Sequence, residues 1–271
     1  MVSIEVGCRF QHKAGVNLQG IEVTPEKSIL KPSHGEISTG FVSNLPEDGE
    51  KWAVVIGISD YSGTLNDLNY CDDDAQGFYE ALLSYGWKSS HIKLLIDKKA
   101  TKQSILDAIV WMEGKEGPND EVVFFYSGHG AASKHDMDYD REEKDECIVP
   151  WEADLDYLIW DGDLVQAFQN FESNRIMFYF DMCFSGGMTD LADPGRLLLM
   201  ASKENQLSIE SGELQNGQFT YYFVDIGMLE MKADVNNDAL VTFEEAFDYA
   251  ADQCQRQMPV AVDGFINDMP P

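Results

Sequence analysis

No stretch of this 271-residue chain carries the roughly 18 consecutive apolar residues that span a bilayer as a helix. The opening residues, "MVSIEVGCRFQHKAG", lack the basic segment and apolar run of an export signal. The expectation is a cytoplasmic protein with no membrane association. Basic residues are scarce: 19 Lys and Arg stand against 48 Asp and Glu, a formal charge of -29. That field repels phosphate backbones and anionic lipid, which excludes nucleic acid as a partner and leaves cationic peptides or metal ions. A solubilising acidic surface would give the same bulk charge. Cysteine is sparse and scattered. Cys8, Cys71, Cys147, Cys183 and Cys254 are odd in number and form no CxxC pair, so neither a disulfide framework nor a structural zinc site is indicated, and a reducing compartment fits. No internal repeat or low-complexity tract is evident.

What the chain has is apolar content, 44% with 11% aromatics, enough for a sizeable core at this length. Short apolar runs at 52–58, 91–97, 121–128, 175–183 and 196–202 read as buried strands. Helix-period positions at 72–85, 101–114 and 161–171 fall between them, with Thr101 placed to cap the second. Strands alternating with helices imply a mostly parallel α/β sheet covered on both faces, and ligands of such sheets gather at the carboxyl ends of the strands. Residues 1–50 lack a strong period, carry Pro25, Pro32 and Pro46, and end in the acidic, turn-prone "NLPEDGE". They read as an N-terminal extension, with room for a hairpin, on a main domain of residues 51–271.

Two of the strand ends carry chemistry. "EVVFFYSGHG" (121–130) runs an apolar strand into His129, held between Gly128 and Gly130 with little side-chain cover from its neighbours. A turn whose histidine only satisfies backbone groups would look the same in isolation. "FDMCFSGGM" (180–188) repeats the design, delivering Asp181 and Cys183 into a turn at Ser185, Gly186 and Gly187. A lone cysteine is most often a small apolar residue of a core. Paired with a strand-end histidine it is a candidate nucleophile: the thiolate attacks, and the histidine draws off its proton and returns it to the leaving amine. Glycines beside it leave backbone N–H groups able to face an oxyanion.

"YSGHG" and "DMCFSGG", preceded in order by "WAVVIGISDY" and "LNDLNYCDDDA", resemble the caspase-like peptidases, and within them the metacaspase and bacterial or archaeal orthocaspase branch. The similarity runs from Lys51 into the C-terminal region. The resemblance implies a caspase-like α/β fold with a mostly parallel six-stranded sheet, in which 51–190 is the large-subunit-like part and 191–271 the small-subunit-like part. It implies a cysteine endopeptidase with His129 as general base and acid, Cys183 as nucleophile, and the N–H groups of Gly130 and Cys183 as the oxyanion hole. It also implies a pocket for a basic side chain, formed by Asp74 and Asp181 with Cys71 beside them, so that peptide or protein substrates are cut after Arg or Lys. Buried carboxylates need a cation to offset desolvation, whereas cutting after aspartate would need basic residues that these positions lack. Asp72 and Asp73 suit a helix N-terminus. Residues 196–224 resemble the family's small-subunit portion, with Gln206, Ser208 and Glu210 at the cleft edge.

Calcium is indicated twice. "DVNNDALVTFEE" (234–245) sets Asp234, Asn236, Asp238, Thr242 and Glu245 at positions 1, 3, 5, 9 and 12 of an EF-hand loop, with the Leu240 carbonyl at position 7. Ala239 takes position 6, where glycine ordinarily permits a positive φ, and a polar turn that never binds calcium fits the same residues. The resemblance adds an acidic cluster for calcium activation at Asp145, at Asp161 or Asp163, and at Asp190. Carboxylates drawn together repel unless a divalent cation lies between them; a solvated rim is the alternative, and the choice between Asp161 and Asp163 stays open. The charged segment 131–146 offers Lys134, Arg141 and Lys144 for self-cleavage. No organic cofactor is expected, and a monomer is. Rival readings are another peptidase of the same clan, legumain- or clostripain-like, and a catalytically idle calcium-binding interaction module. Intact His129 and Cys183 argue against the last.

Overall fold

The computed structural model describes residues 41–63, 66–135, 137 and 144–271, together with the backbone of 4–6. Its strands, in chain order, are β1 (Ile4–Val6), β2 (Lys51–Gly57), β3 (Ile92–Ile96), β4 (Glu121–Ser127), β5 (Gly130–Ser133), β6 (Asp145–Ile148), β7 (Ile159–Trp160), β8 (Ile176–Asp181), β9 (Arg196–Met200), β10 (Glu210–Ser211), β11 (Asn216–Gly217) and β12 (Val260–Asp263). The central sheet has six strands in the order β12-β9-β8-β4-β2-β3. Five run parallel, and β12 closes one edge antiparallel to β9. Every residue of β4 and β8 is buried, as central parallel strands covered on both faces require.

The helices are α1 (Cys71–Ser84), α2 (Lys102–Glu113), α3 (Asp161–Ala167), α4 (Gln218–Thr220), which continues as a π-helical stretch over Tyr221–Leu229, and α5 (Phe243–Gln253). α1 and α5 help cover one face of the sheet, α2 and α3 the other. α1 buries Cys71, Asp74, Ala75, Phe78, Ala81 and Leu82, a stripe at helical spacing that carries one aspartate into the interior. Phe78 stacks on Phe125 at 4.5 Å, Phe125 on Tyr179 at 4.7 Å, and Tyr179 on Phe219 at 5.0 Å, so an aromatic column ties α1 to the sheet and to α4. Thr101 caps α2, its side chain accepting from the Ser104 N–H at 3.1 Å.

Beyond shifts of one or two residues at element ends, one boundary differs from the sequence expectation. α3 ends at Ala167 rather than 171, because the ring of Phe168 packs into the core against Phe124 and Phe178. Residues 41–50 of the N-terminal extension pack on the main domain: the Ser43 hydroxyl donates to the Asp268 carbonyl at 2.7 Å and the Ser43 N–H to Asn267 at 3.1 Å. The hairpin expected earlier in that extension lies outside the described residues, except that β1 pairs antiparallel with β5. A smaller sheet, β1-β5-β6-β7, stands beside the main one and leaves directly from His129. Among the described residues no helix is long and apolar enough to cross a membrane.

Candidate active site

Parallel register sets the site. Ser127, the last residue of β4, pairs with Asp181, the last of β8, and the Gly128 N–H donates to the Asp181 carbonyl at 3.3 Å. Two residues beyond each member of that pair come His129 and Cys183, so the histidine and the cysteine leave adjacent strands at one level. Gly130 lies against the cysteine's backbone: a Cβ there would collide with the Cys183 carbonyl oxygen and reach the Met182 side chain at 3.1 Å. Any other residue would push the two loops apart. The His129 N–H donates to the Tyr61 hydroxyl at 2.7 Å, and its ring Nε2 lies 2.7 Å from the Asn66 carbonyl oxygen. A carbonyl only accepts, so Nε2 carries the ring proton and Nδ1 is left as the basic nitrogen. Cys183 is 2% exposed, and its thiol donates to the Ser208 carbonyl at 3.7 Å. The next residue, Phe184, sits in the left-handed region at φ 63°, a strained setting for a bulky side chain. Its N–H is fixed by the Gln206 carbonyl at 2.8 Å.

Beside the thiol is a pocket lined by acids. Asp74 and Asp181 are buried, at 1% and 4% exposure. Asp74 accepts from the Ser127 hydroxyl at 2.7 Å and the Gly217 N–H at 2.9 Å. Asp181 accepts from the hydroxyls of Ser208 at 2.5 Å and Thr220 at 2.7 Å, and from the Thr220 N–H at 3.1 Å. Burial pushes the Asp74 carboxyl well up and the neighbouring Asp181 charge adds to the push. Burial raises Asp181 as well, against the hydrogen bonds from Ser208 and Thr220. Cys71 and Glu210 complete that wall, and among the described residues no basic side chain lines the pocket. Its free volume is about 20 Å³, room for about one water.

The model of the caspase domain matches residues 50–266 of this chain. The chain belongs to the caspase-domain family. It is similar to metacaspase-1 of Lodderomyces elongisporus, 34% identical over 157 residues, which is 53% of this chain and 35% of that protein. It is 35% identical over 157 residues to metacaspase-1 of Candida albicans, with the same two shares. To metacaspase-1 of Yarrowia lipolytica it is 33% identical over 197 residues, 66% of this chain and 41% of the relative. The matched segments are thus less than half of each relative's length. Among solved structures, protein GSU0716 from Geobacter sulfurreducens superposes with a TM-score of 0.62 at 17% identity, covering 81% of this chain and 95% of that one. That likeness shows a shared fold and nothing finer.

Within this caspase domain the other expected acids lie on β6, at the start of α3 and in the helical turn after the cysteine, three elements that pack against one another. Asp145 on β6 and Asp161 at the start of α3 are buried. Asp145 accepts from the Met137 N–H and Asp161 from the Glu146 N–H at 3.2 Å. Asp163 turns away: it accepts from the Trp160 N–H at 3.2 Å, capping α3, and faces Lys102 at 3.9 Å. Asp190 is half-buried in the helical turn after the cysteine. The acid that sequence reasoning missed is Glu146, buried at 1% exposure, with its carboxylate packed against Gly187. As they stand, no three His, Cys, Asp or Glu side chains among the described residues converge into a metal-binding set. The 234–245 loop nevertheless folds inward on its own acids. Asp234 accepts from the N–H groups of Asp238 and Ala239 at 3.1 Å each, and Asp238 accepts from the Leu240 N–H at 2.9 Å. Asn236 donates to Glu245 at 2.8 Å, while Glu245 and Thr242 cap α5 reciprocally. Ala239 takes φ 68° without being glycine.

Proposed function

We propose that this chain is a cysteine endopeptidase cutting after Arg or Lys through His129 and Cys183. The observation that carries the specificity is the pair of buried acids, Asp74 and Asp181, beside the cysteine loop in a pocket with no basic lining residue. An arginine or lysine side chain supplies the cation that two desolvated carboxylates need.

Nδ1 of His129 takes the Cys183 thiol proton, and the sulfur attacks the scissile carbonyl carbon. The N–H groups of Gly130 and Cys183 are the donors assigned to the oxyanion. Collapse breaks the C–N bond, and the imidazolium returns its proton to the leaving amine. Water, deprotonated by the same nitrogen, then hydrolyses the thioester to a carboxylate and regenerates the thiol. In the geometry described here Ser208 holds the thiol and both pocket acids are occupied by the 208–220 segment. That segment has to shift before an arginine enters a pocket of about 20 Å³.

Calcium activation belongs to the same proposal. The all-oxygen donors of Asp234, Asn236, Asp238, Leu240, Thr242 and Glu245, with Ala239 already in the left-handed region, suit a hard cation. Bound there, calcium would supply charge neutralisation and hold the turn into α5. Asp145, Asp161 and Asp190 are the second candidate set, closer to the catalytic loops and in need of rearrangement to converge. Self-cleavage is proposed for the segment between β5 and β6: Lys134 is exposed and Lys144 pairs with Glu204 at 3.0 Å, while Arg141 lies outside the described residues.

The test is cleavage of fluorogenic peptides ending in arginine, lysine, aspartate or asparagine, with calcium and with chelator, on wild type and Cys183→Ala. Calcium-dependent turnover of the basic peptides alone, abolished in a Cys183→Ala protein of unchanged melting temperature, is expected. Turnover of the asparagine peptide would favour a legumain-like enzyme. None at all from folded protein would favour an idle binding module.

A further inference from the structure

His129 is set in the most yielding backbone of the site, between Gly128 and Gly130, where no side chain of its chain neighbours steadies it. Two tyrosines reach its peptide groups instead. Tyr61 follows β2, Tyr126 is the penultimate residue of β4, and both are buried. The Tyr61 hydroxyl accepts the His129 N–H at 2.7 Å. The Tyr126 hydroxyl donates to the His129 carbonyl at 2.8 Å, with the Val149 carbonyl sharing that proton at 3.0 Å, and accepts from the Val149 N–H at 3.2 Å. The two hydroxyls are also bonded to each other, and burial pushes both phenols up, so both keep the proton they donate. A chain of donors therefore leaves the histidine at its N–H, passes through Tyr61 and Tyr126, and returns to its carbonyl. Gly128 lies inside that loop: a Cβ on it would stand 2.6 Å from the Tyr126 hydroxyl oxygen and 2.8 Å from that of Tyr61. The Tyr61 ring also lies 4.8 Å from the imidazole, centre to centre.

Carrying a proton from a thiol to a leaving amine on one imidazole requires the ring to stay within hydrogen-bond reach of both, and a misplacement of about 1 Å costs about a hundredfold in rate. The Asn66 carbonyl fixes Nε2 at 2.7 Å, but that bond holds only the tip of a side chain whose backbone has glycine on either side. Building on the reading of His129 as the base for Cys183, we propose that Tyr61 and Tyr126 are positioning residues for it: their hydroxyls clamp both peptide groups of His129 and so keep the imidazole in line with the thiol. A merely structural role, satisfying buried backbone polar groups, would use the same bonds. Removing one would then cost stability and leave the thiol and imidazole coupled as before.

Tyr61→Phe removes one hydroxyl and keeps the ring. Two readouts are taken in the presence of calcium: kcat and KM for an arginine peptide, and the pH profile of Cys183 alkylation by chloroacetamide, followed by mass spectrometry on the fragment that contains Cys183. In Tyr61→Phe, kcat should fall about ten- to hundredfold at unchanged KM. The alkylation profile should move from the wild-type curve toward that of His129→Ala, in which the thiol titrates unassisted. In the His129→Ala background the same substitution should leave the profile where it is, because the tyrosine acts through the histidine. Tyr126→Phe opens the chain of donors at its carbonyl end and should give the same results, so it decides if Tyr61→Phe does not fold. A wild-type alkylation profile in the folded variants overturns the proposal whatever their kcat, as does a shift of equal size with and without His129. Failure of both variants to fold assigns the hydroxyls to stability and overturns it too. The alkylation arm uses no peptide, so it stands apart from the basic pocket. Wild type with the profile of His129→Ala defeats the dyad itself, while a difference between those two that both tyrosine variants leave intact defeats the tyrosines alone.

Discussion

The Ser208 hydroxyl donates to Asp181 at 2.5 Å, and the same residue's carbonyl accepts the Cys183 thiol at 3.7 Å. One residue therefore engages both Asp181 and the Cys183 thiol, and on the proposed basic-pocket reading an arginine substrate has to displace it. The pocket acids make that exchange pH-dependent. Burial raises Asp74 well above an ordinary aspartate, with Asp181 adding to the effect, and raises Asp181 too. The empty pocket consequently keeps a proton to higher pH than exposed aspartates do, and a guanidinium that favours the ionised pair expels it. KM for an arginine peptide should fall as pH rises through the raised Asp74 value and then level. Calorimetry in buffers of different ionisation enthalpy should show proton release on binding an arginine aldehyde. A flat KM profile with no release would mean the pair is already ionised.

Gly217 separates the two acids. A Cβ at that position would stand 2.6 Å from Asp181 Oδ2 and 2.7 Å from Asp74 Oδ2, closer than atoms can pack without movement. Gly217→Ala should cost about 1–3 kcal/mol of stability by overpacking and raise KM for arginine peptides by about tenfold as the carboxylates are pushed apart. Urea titration and steady-state kinetics on the variant measure both. Unchanged KM would place substrate binding away from these carboxylates.

The five parallel strands were legible because each is a short apolar run, and their bounds differ from the sequence expectation by two residues at most. The positions of His129 and Cys183 at neighbouring strand ends follow from those runs and from the parallel register between β4 and β8. What could not be read is the clasp on the pocket. β10 and β11 are two residues each, too short for any period, so nothing marked Gly217 as lying between the acids. Thr220 is likewise an ordinary helix residue until α4 is docked on the sheet, when both its N–H and its hydroxyl reach Asp181. Ser127 did carry a signal, standing two residues before His129 at the end of an apolar strand. Its bond to Asp74 depends on α1 crossing that end. The acidic residues Asp145, Asp161 and Asp163 were named from family resemblance, and in the structure each accepts from a backbone amide, of Met137, Glu146 and Trp160 in turn.

Glu121 opens β4 at the end of the sheet remote from the cysteine, is fully buried, and has no hydrogen-bond partner for either carboxylate oxygen among the described residues. Burial pushes it from an ordinary 4.5 up to about 7, partly offset by the charges of Lys51 and Arg175. A carboxyl whose folded value is raised binds its proton more tightly in the native state, so its contribution is most favourable below pH 4.5 and is lost as pH rises toward 7. At 1.36 kcal/mol per pH unit that loss is about 3 kcal/mol. Glu121→Gln, which imitates the protonated form, should match wild type near pH 4.5 and exceed it by about 3 kcal/mol above pH 8. Urea unfolding at the two pH values is the check, and an offset independent of pH would assign the titration to another group.

Ala239 holds φ 68° at the turn of the 234–245 loop, with Asn237 at φ 61° two residues earlier. A left-handed conformation costs an L-residue about 1–2 kcal/mol, while glycine enters it freely at the expense of greater freedom in the unfolded chain, about 0.5–1 kcal/mol. The difference favours Ala239→Gly by up to about 1 kcal/mol, visible in urea unfolding without added metal. If calcium binds this loop, the same substitution removes strain from the bound turn and should not weaken calorimetric calcium affinity. Glu245→Gln, which removes the two-oxygen ligand position, should weaken it at least about tenfold. Calcium affinity indifferent to Glu245→Gln, with calcium-dependent turnover retained, would move the ion to the Asp145 and Asp161 side of the cleft, where the small sheet leaving His129 could transmit binding directly to the catalytic loops.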